Sequence, residues 1–327
     1  MTETLSAEGD ARLPDTHDPG GAALTGEIAG RSPTRLALSR LRRDRVAMIS
    51  GVVVVLLIAF AICAPLVAHF TGHGNTVSFR HGAGAALSPD NIPVGPNHTF
   101  VLGGDDQGRD LLVRLAYGAR VSLEVGILAT LGSLVIGVIV GTVAGFYGGW
   151  VDTLISRVVD IFLSFPIILF AAALVAVYGG SLRLIFIIVI MFGWTIFARI
   201  SRGQVLSLRE KEFVEASRSL GAGSFRIMFV DMLPNIVAPL IVYFTLTIPT
   251  NIVYEATLSF LGLGVQPPTA SWGQTLAAAQ NGQLYIVRPT FLIFPMIMLF
   301  VTTLAFNLFG DGVRDAFDPR AARTMAK

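Results

Sequence analysis

Long apolar runs separated by short polar stretches set the pattern of this chain. Six such runs lie at about 46–68, 122–146, 158–178, 184–200, 236–258 and 289–309, each with at most one charged residue. As helices, runs of this length cross a hydrocarbon core of ~30 Å. The pattern predicts an all-α polytopic membrane protein with about six transmembrane helices. Val46 to Ala68 carries no charge and follows a basic block of Arg35, Arg40, Arg42, Arg43 and Arg45. Those arginines place the N-terminal side of the first span in the cytoplasm. Residues 1 to about 33 are rich in Gly, Ala, Pro, Asp and Thr and lack apolar periodicity, so a disordered tail is expected there. The first apolar run starts too late for a secretory signal, and no cleavage-type site follows it.

The polar stretches carry the local signals. Residues 69 to about 120 hold scattered Gly, Pro and Asn and are expected outside the membrane, with Asp110 to Tyr117 as an amphipathic helix on the interface. Arg109, Arg114 and Arg120 then lie on the outer side, against the positive-inside trend, which weakens in long loops. Gly137, Gly141 and Gly145 recur every fourth residue and put a bare ridge on the second span. That ridge suits close backbone contact, within the chain in preference to a subunit interface. Phe146 to Trp150 reads as an interfacial turn, Pro166 as a kink in the third span, and Gly179-Gly180-Ser181 as the turn before the fourth.

From Gln204 to Leu220 nothing breaks a helix, and Lys211 and Glu215 stand four apart, close enough to pair. Gly221 can end that helix in a left-handed conformation, and Pro234 suits the start of the fifth span. Glu212 to Pro234 thus predicts a helix–turn–helix elbow projecting from the bilayer. Its Arg209, Lys211, Arg218 and Arg226 place it in the cytoplasm. Glu255, near the far end of the fifth span, is a carboxylate in an apolar setting, where charge points to function.

Composition narrows the class. The 327 residues are 53% hydrophobic and 14% charged, with mean hydropathy +0.67, whereas soluble domains carry about 25% charged residues. A net charge of +2 gives no reason to expect nucleic acid. The single cysteine, Cys63, rules out an intrachain disulfide. Lysine occurs only at Lys211 and Lys327, neither preceded by glycine, so no Gly-Lys-Ser/Thr loop can cradle a nucleotide phosphate. His69, His73, His81 and His98 lack supporting carboxylates at helical spacing, which argues against a metal site. An ion-coupled transporter or channel needs ionisable groups at the membrane midplane, but Glu124, Asp160 and Glu255 fall near span ends and no internal repeat is present. A membrane enzyme needs convergent catalytic groups, and no nucleophile–His–carboxylate set converges at one depth.

Several segments resemble a known transporter family. Glu215-Ala216-Ser217, Gly221 and Leu233-Pro234 fall at the spacing of the EAA loop of ABC importer permeases, with Ser217 where Ala is usual and Asp231 where an apolar residue is usual. Leu102-Gly103-Gly104-Asp105-Asp106-Gln107-Gly108-Arg109-Asp110, continuing through Gly118-Ala119-Arg120-Val121-Ser122-Leu123, resembles the LGTDxxGRD…GxRxSL signature of the dipeptide/oligopeptide/nickel branch. Gly104 stands where that branch has Thr. Ser259 to Pro268 with Ser271-Trp272-Gly273 is similar to its SFLGLGxQPPxxSWG segment. Asn307, Gly310, Asp311, Arg314, Asp315, Asp318, Pro319 and Arg320 follow its NLxGDxxRDxxDPR ending.

The resemblance implies an ABC type I importer permease fold and a division of the chain. Residues 1–45 would be a cytoplasmic tail and 46–68 the first transmembrane helix. Residues 69–121 would form an outer loop, 122–310 a core of five spans holding the coupling loop 204–235, and 311–327 a cytoplasmic C-terminal tail. It also implies a cell-membrane, multi-pass subunit with both termini cytoplasmic. Its partners would be a homologous second permease, two ABC ATPase subunits, an extracellular substrate-binding protein and the lipid bilayer. No cofactor is expected on this chain, since ATP and Mg would bind the partner ATPases, and the chain would not be an enzyme. Docking to the ATPase falls to Glu212, Glu215, Ala216, Ser217, Gly221, Ala222, Phe225, Arg226, Leu233 and Pro234. A substrate passage or outer gate falls to Glu255, Ser259, Phe260, Gln266 and Trp272, with Trp272 as an interfacial anchor of the outer loop. Di- and oligopeptides are the expected cargo. Nickel is the alternative, but a metal passage calls for imidazole or soft ligands, and all five histidines precede the second span.

Overall fold

The structure is a computed structural model that describes residues 33–82, 84–281 and 284–318. The tail expected over residues 1–32 lies outside the described residues, as do Pro319, Arg320 and the end of the C-terminal tail. Among the described residues the architecture is helical, and the antiparallel bridges Leu87–Pro93 and Gly104–Asp110 are isolated.

Helix α1 (Pro33–Leu41) and α2 (Arg45–Ile62) meet at Asp44, whose carboxylate accepts from the amides of Val46 and Ala47 and so caps α2. After Cys63 the short α3 (Ala64–Thr71) ends at Gly72, which is left-handed at φ 72°. Then come α4 (Leu111–Tyr147), α5 (Gly149–Ser164), α6 (Ile167–Tyr178), α7 (Leu182–Leu208), α8 (Glu212–Ser219), α9 (Ser224–Phe260), α10 (Trp272–Gln280), α11 (Leu284–Val287) and α12 (Pro289–Phe317). Five of these, α2, α4, α7, α9 and α12, are long and apolar enough to cross a membrane, and α5 with α6 makes a sixth if the pair is one span. Val52, Leu56, Leu169 and Phe300 are among the large apolar side chains left exposed, as helices facing lipid require.

Four expectations are corrected by the structure. The third span is two helices bent by 80°, not one kinked helix. Pro166 forces the preceding Phe165 into an extended conformation, φ −90° and ψ 128°, which ends α5 outright. The interfacial turn after the second span is confined to Gly148 and Gly149, both at positive φ, and α5 begins at once. Asp110 to Tyr117 is not a surface helix. It is the first part of α4, which runs 37 residues, and Leu111, Val113, Arg114 and Leu115 are buried. At ~1.5 Å per residue α4 is ~55 Å long and must reach well beyond the hydrocarbon layer. Finally, the helix over Gln204 to Leu220 is broken at Arg209 to Lys211; Pro234 stands, as expected, in the first turn of the α-helical stretch Leu233–Phe260 of α9.

The glycine ridge is packed within the chain. A Cβ at Gly137 would lie 2.5 Å from the Trp194 carbonyl oxygen, one at Gly141 would fall on the Ala198 carbonyl, and one at Gly145 would lie 2.9 Å from the Arg202 carbonyl oxygen. Three successive turns of α4 therefore touch the backbone of α7. On the other side α2, the outer part of α4, α9 and α12 enclose Leu57, Leu115, Ile252, Phe291 and Phe306 around Trp272. At the ends of the chain, Arg40 of α1 donates to the Asp318 carbonyl at 3.1 Å and to Ala316 at 3.5 Å, tying α1 to the end of α12.

Gly141→Val should destabilise the bundle by ~1–3 kcal/mol or more, because the neighbour it meets is backbone that cannot rotate away. Gly203→Ala, which faces open space on α7, should be neutral or slightly stabilising. Thermal unfolding of the two purified variants in detergent checks the pair, and equal midpoints would contradict the packing.

Candidate functional site

The charged stretch between the fourth and fifth apolar runs folds as the expected elbow. Glu212 and Glu215 occupy the first turn of α8, where a carboxylate is favoured by the helix dipole. Val214 is fully buried and pins the helix to Val205, Ile227, Met232, Ile236 and Leu240. The helix closes at Gly221, φ 78°. The Ala222 amide donates to Ser217 O at 3.0 Å and the Gly221 amide to Arg218 O at 2.9 Å. This is the paired bonding of a Schellman stop, which satisfies the last carbonyls of α8.

The second arm of the elbow is the start of α9 itself. Residues Ile227–Met232 widen into a π-helical turn immediately before Leu233 and Pro234. A wide turn there accommodates the missing proline N–H, and the Asn235 side chain donates to the Asp231 carbonyl at 2.8 Å. Two arginines strap the elbow to the end of α4. Arg209 donates to the Gly145 carbonyl at 3.3 Å, and the Arg218 guanidinium lies 5.4 Å from the centre of the Phe146 ring.

Of the residues expected to dock a partner, Glu212, Glu215, Ala216, Gly221, Phe225, Arg226 and Pro234 are exposed, while Ser217, Ala222 and Leu233 are half-buried. The expected Lys211–Glu215 pair does not form, and Glu215 makes no ion pair among the described residues. Phe225, expected at the docking surface, is 73% exposed, and sequence reasoning missed Leu220, which is 88% exposed. Leu220 stands directly before the helix-ending glycine, which is the signal that could have found it.

The segments expected on the outer side are firmly built. Glu255 is completely buried on α9 and accepts hydrogen bonds from the hydroxyls of Ser122 (2.7 Å), Ser259 (2.8 Å) and Ser271 (2.7 Å). These three serines come from α4, the end of α9 and the cap of α10, so one carboxylate joins three elements. Trp272 is not an interfacial anchor. It is fully buried, its indole N–H donates to Leu115 O at 3.0 Å, and a Cβ at Gly118 would stand 2.9 Å from its ring. Ser259 is buried with Glu255, Phe260 is half-buried, and Gln266 is exposed, donating to the Gly262 carbonyl at 3.0 Å.

Arg114 is a buried hub between segments. It donates to Pro268 O (2.7 Å), Thr269 O (3.3 Å) and Gln274 Oε1 (3.1 Å), holding the turn before α10. Arg109 pairs with Asp105 at 2.6 Å. Both arginines are therefore structural clamps. Burial, together with the neighbouring Asp105 charge, pushes the Asp106 carboxyl above the usual carboxylate range, against the pull of Arg109 and Arg114. His73 stacks on Phe100 at 4.7 Å and meets Asp110 at 2.6 Å, and among the described residues no cluster of His, Cys, Asp or Glu could hold a metal.

Five or six apolar spans, with a short charged elbow between two of them and a pinned outer loop, define a multi-pass subunit of a membrane transport system. The chain belongs to the family of binding-protein-dependent transport system inner membrane components, which matches residues 137–323. Residues 32–81 match the N-terminal TM domain of oligopeptide transport permease C. The chain is 39% identical over 305 residues to the dipeptide transport system permease protein DppC of Alkalihalophilus pseudofirmus, covering 93% of this chain and 96% of that one. It is 38% identical over 290 residues to the glutathione transport system permease protein GsiD of Pectobacterium atrosepticum, covering 89% and 92%. An inward-facing structure of the MetNI methionine ABC transporter aligns with TM-score 0.50 and 22% identity over 62% of this chain and 95% of that one, which fixes the ABC importer permease fold.

Ser122→Ala should remove a bond to a buried carboxylate and cost about 1.5–3 kcal/mol. Glu255→Ala should cost more, because three buried hydroxyls lose their acceptor at once. Hydrogen–deuterium exchange over residues 262–280 should accelerate in both. Unchanged exchange there would show that Glu255 does not hold the outer loop.

Proposed function

We propose that this chain forms, with a homologous second permease, the passage of an ATP-driven importer for di- and oligopeptides. An extracellular binding protein delivers the peptide, and two partner ATPases bind ATP and Mg and hydrolyse the nucleotide, so this chain is not itself an enzyme. The peptide cargo is supported by the relatives, which are named for a dipeptide and for glutathione. Nickel has less support, since the described residues offer no cluster of metal ligands.

The observation that carries the reading is the elbow. Helix α8 is seated by the buried Val214, while Glu215, Leu220 and Phe225 are exposed, the Phe225 ring lying 4.8 Å from that of Phe229. Apolar side chains beside a free carboxylate, on an arm stopped by a left-handed glycine, suit a cleft on a soluble partner. In this reading Glu215 meets an arginine of the ATPase, and closure of the ATPase pair moves the elbow as a lever. Because the second arm is the beginning of α9, the motion enters the membrane without a joint. The termini and the elbow lie in the cytoplasm, and 70–120 and 261–288 face outward. Residues 259–273 close the outer mouth or meet the binding protein, with Gln266 the exposed contact.

Reconstitution with both ATPases, the second permease and the binding protein tests this reading directly. Peptide-dependent ATP hydrolysis and peptide uptake are expected, and uptake of nickel alone would overturn the cargo. Glu215→Ala should weaken ATPase docking by ~2–5 kcal/mol, the cost of breaking a buried interfacial charge pair. An unchanged affinity would remove Glu215 from the interface. Gly221→Val has open space but the wrong backbone conformation, with strain of ~1–2 kcal/mol at a left-handed position. It should insert in the membrane yet lose its ATPases or hydrolyse ATP without moving peptide. For orientation, a cysteine at Ser224 on a Cys63→Ser background should resist impermeant thiol reagents added outside intact cells, and rapid labelling would invert the topology.

A further inference from the structure

Helix α9 carries two exposed faces of different chemistry. One, with Val237, Ile241 and Phe244, joins Leu131, Val135 and Phe229 in a concavity with no polar lining residue. The other bears Tyr243, Thr247, Thr250, Tyr254 and Thr257, which repeat at intervals of four, three, four and three and so form one hydroxyl stripe along the helix. Glu255, one residue from Tyr254, lies off the stripe and is engaged by its three serines. The middle of the stripe opens on a cavity of about 460 Å³ between α9, α7 and the break between α5 and α6. Phe162, Phe165 and Phe192 line it with Thr195, and no Asp, Glu, Lys or Arg does.

The hydroxyls are not equivalent. Thr247 donates to the Tyr243 carbonyl at 2.7 Å and Thr195 to the Phe192 carbonyl at 2.6 Å, so each presents only acceptor capacity to the cavity. Neighbouring Asn251 is engaged with Thr130 at 2.7 Å. Thr250 and Tyr254 have no hydrogen-bond partner for their hydroxyls among the described residues, and each can both donate and accept. Free hydroxyls turned to lipid tails would be costly.

The geometry points to this stripe, centred on Thr250 and Tyr254, as the wall that α9 contributes to the substrate passage, where it hydrogen-bonds the backbone amides of a peptide in transit. This rests on the peptide reading above. A peptide backbone alternates N–H donors and C=O acceptors, and hydroxyls serve both. The aromatic lining offers apolar contact to any side chain, and the lack of fixed charge selects against none. Glu255, Ser259 and Trp272 are then supports of the wall and not its lining.

The test uses the assembled transporter, with the second permease, both ATPases and the binding protein, in proteoliposomes on a Cys63→Ser background. Only complexes that co-purify with both ATPases are scored, so a misfolded variant is not counted. Thr247→Cys and Thr250→Cys should react with a small water-soluble thiosulfonate, while Val135→Cys on the apolar concavity should stay inert. Thr250→Val and Tyr254→Phe, which keep shape and lose a hydroxyl, should each lower kcat/KM for peptide uptake about 2–10-fold, the effect of one neutral hydrogen bond. Thr250→Ser should restore it. Inert cysteines and normal uptake in a peptide-importing complex would overturn the assignment and leave the stripe as a contact with the second permease. Reactive cysteines in a complex that imports no peptide would keep the stripe as a passage wall and overturn the peptide reading instead.

Discussion

The close approach of α4 and α7 is the contact on which the other parts depend. Glycines at three successive turns let the α4 backbone lie on α7 where any side chain would collide with a carbonyl. Without a hydrophobic force between helices in lipid, such packing is what holds spans together. Both ends of α4 then serve as mounting points. One end receives Arg209 and Arg218 from the elbow, and the other supplies Arg114 to the loop before α10 and Ser122 to Glu255 of α9. A shift of α4 against α7 would disturb both.

Polar groups in the membrane region follow a second rule, that a buried polar atom must find a partner inside the protein. Glu255 satisfies it with three serine hydroxyls and Arg114 with backbone carbonyls, so polar side chains join segments that also pack around Trp272. Residues 259–280 are thereby held by hydrogen bonds together with the buried Trp272. The elbow is seated by Val214, Ile227 and Met232 and strapped by Arg209 and Arg218, while its other face is exposed.

Span number, the glycine ridge and the elbow were legible in the sequence because each rests on local chemistry: charge-free length, a four-residue repeat, and a glycine after a helix-compatible run. Three features were not. The 80° break at Phe165 needed the tertiary setting that decides whether Pro166 kinks or ends a helix. The passage of α9 through Pro234 depended on a π-helical turn that no composition announces. Glu255 and Trp272 were visible as unusual residues, but their partners Ser122 and Leu115 lie 133 and 157 positions away. Spacing along the chain does not encode contacts of that range.

The Schellman stop at Gly221 has a consequence for variation. The bonds that close α8 run between backbone atoms of Ser217, Arg218, Gly221 and Ala222, and the single buried side chain of that helix is Val214. The outward residues of the elbow therefore carry almost no obligation to the bundle. Their identities can drift, or be transplanted from one transporter to another, without a compensating change in the spans. On the docking role proposed for the elbow, a duplicated importer can in this way acquire a new motor subunit through a handful of surface substitutions, while its passage is inherited intact.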